Sequence, residues 1–176
     1  APFIKQGICD LSEYPPEYCA DLTPSPTPSP STPPPPPIND FCSGALDIEI
    51  GDVVFASTAF ATINGDATYC DFVPQSPGVW YKTVGDGSLY AVDTCSGASF
   101  DTVIFVFSGD CDALVCVDSN DDSCGSSSSV SWQTQVGEEN LILVFGFGAG
   151  SGEFGLSLTL SEQVPAPSPS TLPPPP

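Results

Sequence analysis

A short run of oxygen-bearing side chains near the middle of the chain has the spacing of a metal site. Asp118, Asn120 and Asp122 place oxygens at alternating positions, as the first half of an EF-hand calcium loop does. The pattern then stops, because Ser123 stands where the loop glycine belongs and no Glu occupies the twelfth position. Asp101 adds a carboxylate if the fold brings it near. These four residues are candidate Ca²⁺ ligands, although Asp and Asn are also ordinary turn residues.

The overall composition disfavours catalysis. The 176 residues include 22 Asp and Glu but only two Lys and neither Arg nor His, giving a net charge of −20. The chain therefore lacks the usual general base and any bidentate oxyanion clamp. We predict no catalytic residue, no enzymatic activity and no required cofactor. Such a charge repels phosphates, which excludes nucleic-acid partners, and no apolar run is long enough to span a bilayer.

The cysteines indicate an oxidising compartment. An even number at wide spacing, without CxxC pairs or His, is typical of disulfides in secreted proteins, so we expect an extracellular location. The chain also starts at Ala1 and contains no Met, as a processed product does. Spacing alone does not fix the pairing, but two of the preferred pairs, Cys9–Cys19 and Cys111–Cys116, close short local loops. The preferred pairs are Cys9–Cys19, Cys42–Cys70, Cys95–Cys124 and Cys111–Cys116.

Proline divides the chain into four segments: a head at 1–22, a Ser/Thr/Pro-rich linker at 23–37, a globular domain at 38–162 and a Pro-rich tail at 163–176. Since proline lacks an N–H and fixes φ, the linker and tail should form polyproline II, about 45 Å long for the linker. Ser-Pro-Ser-Thr precedes the proline run on both sides of the globular domain. This recurrence is what modules joined in series would show, but shared composition alone explains it equally well.

The globular segment has the periodicity of strands throughout. Apolar residues alternate with small polar ones over 154–160, which predicts a strand with one buried face. Residues 103–107 and 141–145 are continuous apolar runs, which suit central strands covered on both faces. Gly-Asp and Ser-Gly pairs mark turns between them. We therefore predict an all-β, jelly-roll-like antiparallel sandwich of eight or nine strands.

A series of short motifs in this segment is similar to the bacterial-type pre-peptidase C-terminal domain, a β-sandwich appended to secreted proteins. The resemblance covers about residues 39–160 and implies extracellular placement with an accessory, binding or assembly role. The motifs, in chain order, are Asn39-Asp40-Phe41-Cys42, Gly78-Val79-Trp80-Tyr81-Lys82, Asp93-Thr94-Cys95, Ser99-Phe100-Asp101-Thr102-Val103, Val106-Phe107-Ser108-Gly109 and Asn120-Asp121-Asp122.

The flanking segments resemble the hydroxyproline-rich cell-wall glycoproteins of the extensin and pherophorin type. The resemblance implies hydroxylated prolines and O-linked sugars, and the chain contains no Asn-x-Ser/Thr sequon. An unmodified linker is the alternative. The candidate glycosylation sites are Pro24, Ser25, Pro26, Thr27, Pro28, Ser29, Pro30, Ser31, Thr32, Pro33, Pro34, Pro35, Pro36, Pro37, Pro165, Pro167, Ser168, Pro169, Ser170, Thr171, Pro173, Pro174, Pro175 and Pro176.

Together these features predict the subunit of an extracellular, O-glycosylated filament or cell-surface appendage that polymerises with itself head to tail. The apolar residues Phe3 and Ile4 suggest that the head packs as an extended strand on a neighbouring subunit. A secreted carbohydrate-binding or adhesion module, assisted by calcium, is the alternative. Its stacking platforms would come from the aromatic residues Tyr69, Trp80, Tyr81, Tyr90 and Trp132.

Overall fold

Short β-branched and aromatic segments between turns give the chain nine strands in the part that the structure describes. A computed structural model describes residues 33–63, Cys70 and 73–161. Ahead of the first strand lies one short 3-10 helix, Cys42–Gly44. The strands are β1 (Leu46–Asp47), β2 (Val53–Ser57), β3 (Gly78–Val84), β4 (Leu89–Asp93), β5 (Thr102–Ser108), β6 (Val115–Asp121), β7 (Ser129–Gln133), β8 (Glu139–Gly146) and β9 (Glu153–Leu160).

The nine strands form two sheets that pack face to face. One sheet has five strands in the order β1-β3-β8-β5-β6, and the other has four in the order β2-β9-β4-β7. All neighbouring strands run antiparallel except the two-residue β1, which pairs in parallel with β3. The predicted all-β sandwich of eight or nine strands is thus confirmed.

Alternate side chains of both sheets fill the space between them. On β9 the apolar residues Phe154, Leu156 and Leu158 are buried against the opposite sheet, while Gly155, Ser157 and Thr159 face outward. The period of two in the sequence therefore marks the inner face correctly. Burying each such Leu or Phe contributes about 1.5–3 kcal/mol to the stability of the sandwich.

The five-stranded sheet is also covered on its outer face, where a second apolar cluster lies. Its central members are Trp80, Phe105, Phe107, Leu143 and Phe145, and Cys42, Ala45, Cys70, Leu114 and Cys116 pack over them. The covering segments are the 3-10 helix with its flank and the β5–β6 hairpin. The sequence prediction that the runs 103–107 and 141–145 form central strands covered on both faces is confirmed.

This covering layer has a consequence for the two adjacent aromatic residues on β3. Successive side chains of a strand point to opposite faces, so the sequence led us to expect that at most one of Trp80 and Tyr81 is buried. That expectation is wrong: their exposed fractions are 2% and 1%. Tyr81 enters the core between the sheets, and Trp80 lies under the disulfide-linked layer outside them.

Of the three disulfides in the described part of the chain, two join that layer to the β5–β6 hairpin and the third joins the turns that follow β4 and β6. The pairs are Cys42–Cys111, Cys70–Cys116 and Cys95–Cys124, with Cα atoms 5.7, 5.2 and 5.8 Å apart. The predicted Cys95–Cys124 bridge is confirmed. The predicted Cys42–Cys70 and Cys111–Cys116 bridges are wrong, because Cys42 and Cys70 both pack on the outer apolar cluster, where each lies opposite one cysteine of the hairpin. Loop length was therefore a misleading guide for the Cys111–Cys116 pair.

The remaining predictions on the flanks fall largely outside the described residues. These comprise the head with its Cys9–Cys19 bridge, most of the linker and the tail at 163–176. Within the linker, Pro33–Pro36 are exposed and Pro37 is partly buried, and these five residues have no helical or strand structure, as proline geometry requires.

Candidate metal centre

Three aspartates meet where the start of β5 lies beside the end of β6. Each of Asp101, Asp121 and Asp122 offers one carboxylate oxygen, and these three oxygens lie within 4.8 Å of one another. Asp101 and Asp121 are half-buried, while Asp122 is exposed at the rim. Carboxylate oxygens at this separation are suited to a hard cation such as Ca²⁺, which takes oxygen ligands at about 2.3–2.6 Å.

Strand register and one unusual backbone conformation bring these residues together. Asp121 is the last residue of β6 and pairs with Val103, so it lies next to Asp101 just before β5. Asp122 has a φ of 70°, in the left-handed region. Asp tolerates this region better than most residues. The left-handed turn breaks the alternation of the strand, so two consecutive side chains approach the same partner.

A fully buried hydroxyl cluster supports the base of the site. The Oγ1 atoms of Thr94 and Thr102 are 2.6 Å apart, and the N–H of Ser128 donates to both at 3.0 and 3.2 Å. The Cys95–Cys124 disulfide ties the same turns together from outside. Because these bonds link the ends of β4, β5 and β7, they fix the backbone on either side of Asp101.

The three carboxylates of the cluster repel one another, and two of them are partly buried, so the cluster is unfavourable without a bound cation. The Oδ1 atoms of Asp101 and Asp121 are inaccessible to solvent and accept no hydrogen bond within the described structure. Burial raises the pKa of Asp101, and the charge of Asp122 raises it further. Burial also raises the pKa of Asp121, with further contributions from the charges of Asp122 and Asp101. A bound cation would satisfy both oxygens and reverse the repulsion.

The predicted ligand set agrees with this geometry only in part. Asp101 and Asp122 lie in the cluster, but Asp118 and Asn120 do not. The Oδ1 of Asp118 accepts the N–H of Ser119 at 2.8 Å, on the exposed part of β6. Asn120 instead holds the turn into β7, where its Oδ1 accepts from two backbone N–H groups.

Sequence reasoning missed Asp121 for a physical reason. The alternating pattern assumes that 118–122 form one extended loop, whereas residues up to 121 belong to a strand. The only local signal for the left-handed turn is the Asn-Asp-Asp sequence itself, since Asn and Asp are the non-glycine residues that favour this conformation.

The aromatic residues considered as sugar-stacking platforms are almost all buried. Trp80, Tyr81, Tyr90 and Trp132 have exposed fractions of 3% or less, so their ring faces pack against protein. The Trp132 indole N–H donates to the Oδ1 of Asn140 at 2.8 Å, inside the sandwich. Tyr69 lies outside the described residues. The carbohydrate-binding alternative therefore keeps no exposed aromatic platform among these four.

Comparison with known proteins gives matches at the level of structure alone. No protein-family model matches the sequence, and no curated protein matches it. Eight chains of known structure do match. One is the pre-peptidase C-terminal domain of a collagenase from Bacillus anthracis, with 15% identity and a TM-score of 0.40, covering 65% of this chain and 94% of that chain.

A second matching structure is PliG from Aeromonas hydrophila, a periplasmic inhibitor of g-type lysozyme. It has 11% identity and a TM-score of 0.43, and the match covers 66% of this chain and 96% of that chain. The family that the sequence motifs resemble is thus represented among these structures. The fold assignment itself rests on the two sheets described above, and the similarity of the flanks to extensins and pherophorins stays a prediction.

No helix among the described residues is long and apolar enough to cross a membrane.

Proposed function

We propose that this protein is a structural subunit of an extracellular filament or cell-surface appendage, in which copies join head to tail. The sandwich serves as a disulfide-stapled node, and the Pro-rich segments serve as stiff arms that carry O-linked sugars. Three disulfides in the described structure support an oxidising location outside the cytosol.

The observation that carries this proposal is the way the linker enters the sandwich. Directly after the exposed prolines, Asn39 exchanges hydrogen bonds with Trp80: its C=O accepts the Trp80 N–H at 2.9 Å, and its Nδ2 donates to the Trp80 C=O at 3.0 Å. The buried carboxylate of Asp40 accepts from the N–H and hydroxyl of Thr62. Cys42 is then crosslinked to Cys111.

Within six residues of Pro37 the chain is therefore bonded to β3 of the five-stranded sheet and crosslinked to the β5–β6 hairpin. Tension on the linker passes into the ladder between β3 and β8 and not into a flexible loop. A module that is only tethered would function without these bonds. A subunit in a chain of copies, in contrast, needs its linker to be attached rigidly to its sandwich. The matching Ser-Pro-Ser-Thr segments on both flanks support the arrangement in series.

Analytical ultracentrifugation of the full chain, isolated from its natural source, tests self-association. We expect sedimentation coefficients that rise with protein concentration and open-ended species larger than a dimer. Mass spectrometry of proteolytic peptides covering 24–37 and 165–176 tests the arms, and we expect mass increments of hydroxyproline and of O-linked sugars. A monomer at all concentrations with unmodified arms would contradict the proposal.

The competing class, a carbohydrate-binding adhesion module, is separated from this one by a glycan array probed with the full chain. A structural subunit shows no selective sugar binding. Selective, saturable binding to one glycan class would favour adhesion, and its loss on treatment with EDTA would assign a role to calcium in that binding.

We further propose that Asp101, Asp121 and Asp122 bind one Ca²⁺ ion that stabilises the sandwich. The two solvent-inaccessible carboxylate oxygens that lack hydrogen-bond partners favour this function. Three carboxylates provide fewer than the 6–8 oxygens that Ca²⁺ takes, so water and backbone carbonyls complete the shell. Affinity in the range of extracellular modules, with Kd about 10⁻⁴–10⁻³ M, is expected.

Calorimetric titration of CaCl₂ into the EDTA-treated chain, in about 0.15 M salt to screen diffuse binding, tests this proposal. We expect one binding event, lost in Asp101→Asn and retained in the matched control Asp118→Asn. Without calcium, Asp101→Asn should melt at a higher temperature than the wild-type chain, because it removes a repelled carboxylate. An equal loss of binding in both variants would contradict the assignment.

A further inference from the structure

The four sheet edges in the described part of the chain differ in how they are protected. Edge strands usually carry charges, bulges or covering segments, since their free backbone groups otherwise pair with other chains. β1 has only two residues. β6 carries Asp118 and Asp121 and a register shift opposite Val106 and Phe107. On β7, the N–H of Ser129 donates to Asn120 and its C=O accepts from the hydroxyl of Ser123.

β2 is the edge that lacks these protections. Its five residues include no charge, proline or glycine, and its pairing with β9 shows no register shift. Val53 and Phe55 have exposed fractions of 54% and 79%, in a chain whose net charge is −20. An exposed, regular, apolar edge strand of this kind is a template for strand addition.

The backbone groups available on β2 follow from its pairing. The Asp52 C=O accepts the Leu158 N–H, and the Thr58 N–H donates to the Gly152 C=O. Because hydrogen-bonded pairs alternate in an antiparallel ladder, Val54 and Ala56 also bond to β9. The N–H and C=O groups of Val53, Phe55 and Ser57 consequently face away from β9, toward the open edge.

A groove of about 460 Å³ lies on the outer face of this sheet, over β2 and the adjoining part of β9. Its walls come from Phe55, Ala56, Ser57, Gly97, Glu153 and Phe154. The inward side chains of β2, Val54 and Ala56, are only partly buried, although they pack against the core between the sheets. A further strand at this edge would complete that core on its inner face and cover Val53 and Phe55 on its outer face.

We propose that the β2 edge receives residues 1–8 of a second copy of this chain, which adds an outer strand to the four-stranded sheet. This inference rests on the proposed function, since it names the surface on which the head of the next subunit docks. The same contact repeated from copy to copy is heterologous and does not close, so it produces a filament.

The sequence of the head fits both faces of this edge. In an added strand, Phe3 and Ile4 point to opposite faces, so one covers the open core beside Val54 and the other packs near Phe55. Consecutive apolar residues would expose one side chain at an ordinary surface edge, but here both faces are apolar.

Charge favours the same occupant. The two cations of the chain are Lys5 and Lys82, and Lys82 lies near Asp47 and Glu139 at 3.8 and 3.5 Å. β2 has an acidic residue at each end: Asp52 precedes it, and Glu153 pairs with Ser57 at its last residue. Lys5 therefore approaches a carboxylate whichever direction the added strand runs. A linker with the stiffness that the sequence predicts would favour docking of the head on another copy over docking on its own sandwich.

A binding experiment with the head as a separate peptide tests this inference without requiring filaments. The probe is a fluorescent peptide of residues 1–8, and the receptor is the full chain with residues 1–8 deleted. We expect saturable binding by fluorescence anisotropy, weakened at least tenfold by the double substitution Val53→Lys and Phe55→Lys. The matched control, the double substitution Ser131→Lys and Gln133→Lys, places the same two charges on the outward face of β7 and should bind as the parent does. A peptide with Ser at positions 3 and 4 should not bind.

Hydrogen exchange gives a second measurement that needs no substitution. On peptide binding, the amides of Val53, Phe55 and Ser57 should exchange at least tenfold more slowly, whereas those of Val54 and Ala56, already bonded to β9, should change little. No binding, equal binding by the β2 and β7 variants, or protection at another edge would each overturn the inference. If the intact chain forms filaments while the peptide does not bind β2, the proposed docking surface is wrong but the filament proposal stands. If the peptide binds β2 but the intact chain stays monomeric, the filament proposal is wrong.

Discussion

Removal of the Cys42–Cys111 disulfide should both destabilise the protein and loosen the layer over its outer apolar cluster. The bridge joins the 3-10 helix after the linker to the turn between β5 and β6. Cys42 packs on the cluster, in which the rings of Trp80 and Phe107 lie 5.7 Å apart. The double variant Cys42→Ala and Cys111→Ala removes the crosslink without leaving a free thiol.

The magnitude follows from the loop that the bridge closes. Its cysteines are 69 residues apart, and the chain-entropy relation gives about 4.4 kcal/mol for a loop of that length. The Cys95–Cys124 bridge spans 29 residues, for which the same relation gives about 3.6 kcal/mol. Measured losses are commonly about 2–4 kcal/mol, so we expect each double variant to lose an amount in that range.

Urea unfolding without reductant, followed by tryptophan fluorescence, measures both effects. With Trp132 replaced by Phe in every chain, the emission reports Trp80. We expect the Cys42/Cys111 variant to show red-shifted emission before the main transition, because solvent reaches Trp80 when its cover loosens. The Cys95/Cys124 variant is the matched control and should lose stability without that shift. A loss below about 1 kcal/mol, or an unchanged Trp80 emission in the first variant, would refute the reasoning.

Three further predictions concern the sandwich itself. Asn140→Ala leaves the buried Trp132 indole N–H without its acceptor and should lower the free energy of unfolding by about 1–3 kcal/mol in urea titrations. Gly109→Ala should lower the melting temperature in calorimetry, since φ is +88° and a Cβ would lie 2.6 Å from the Ala113 C=O, whereas Gly51→Ala, with positive φ but open space, should cost less. Burial raises the pKa of Tyr81 above 10.0, and the Asn39 hydrogen bond acts in the opposite direction. The unfolded chain therefore loses the Tyr81 proton at a lower pH than the folded chain, so the free energy of unfolding should fall as the pH rises above 10. In unfolding titrations at several pH values, Tyr81→Phe should make this fall with pH less steep.

The sequence predicts the fold well because its strongest signal is local. The alternation over 154–160 and the continuous apolar runs at 103–107 and 141–145 are consequences of which faces a strand must bury, and each strand formed as its pattern indicates. The hydrophobic pattern does not show which segments cover the outer face of the five-stranded sheet. A strand with both faces buried accommodates Trp80 beside Tyr81, but only the tertiary structure shows that the 3-10 helix and the β5–β6 hairpin cover the outer face.

The disulfides and the aspartate cluster show the same limit. Cys111 and Cys116 are close in sequence, but each pairs with a cysteine distant in sequence that packs on the outer apolar cluster, so loop length is a poor guide to pairing. Asp101 and Asp122 were identified from their residue types, whereas Asp121 depends on strand register and on the left-handed turn after it. The strand register is non-local, and the left-handed turn has only the weak local signal of the Asn-Asp-Asp sequence, so the residue pattern alone specifies neither.

Electron cryo-microscopy of the native material tests most directly whether this protein acts by joining to copies of itself. We predict sandwiches repeated along one axis, with a strand from the neighbouring copy beside β2 and additional density of sugars around residues 24–37. Single, separate sandwiches with unmodified proline segments would contradict the account.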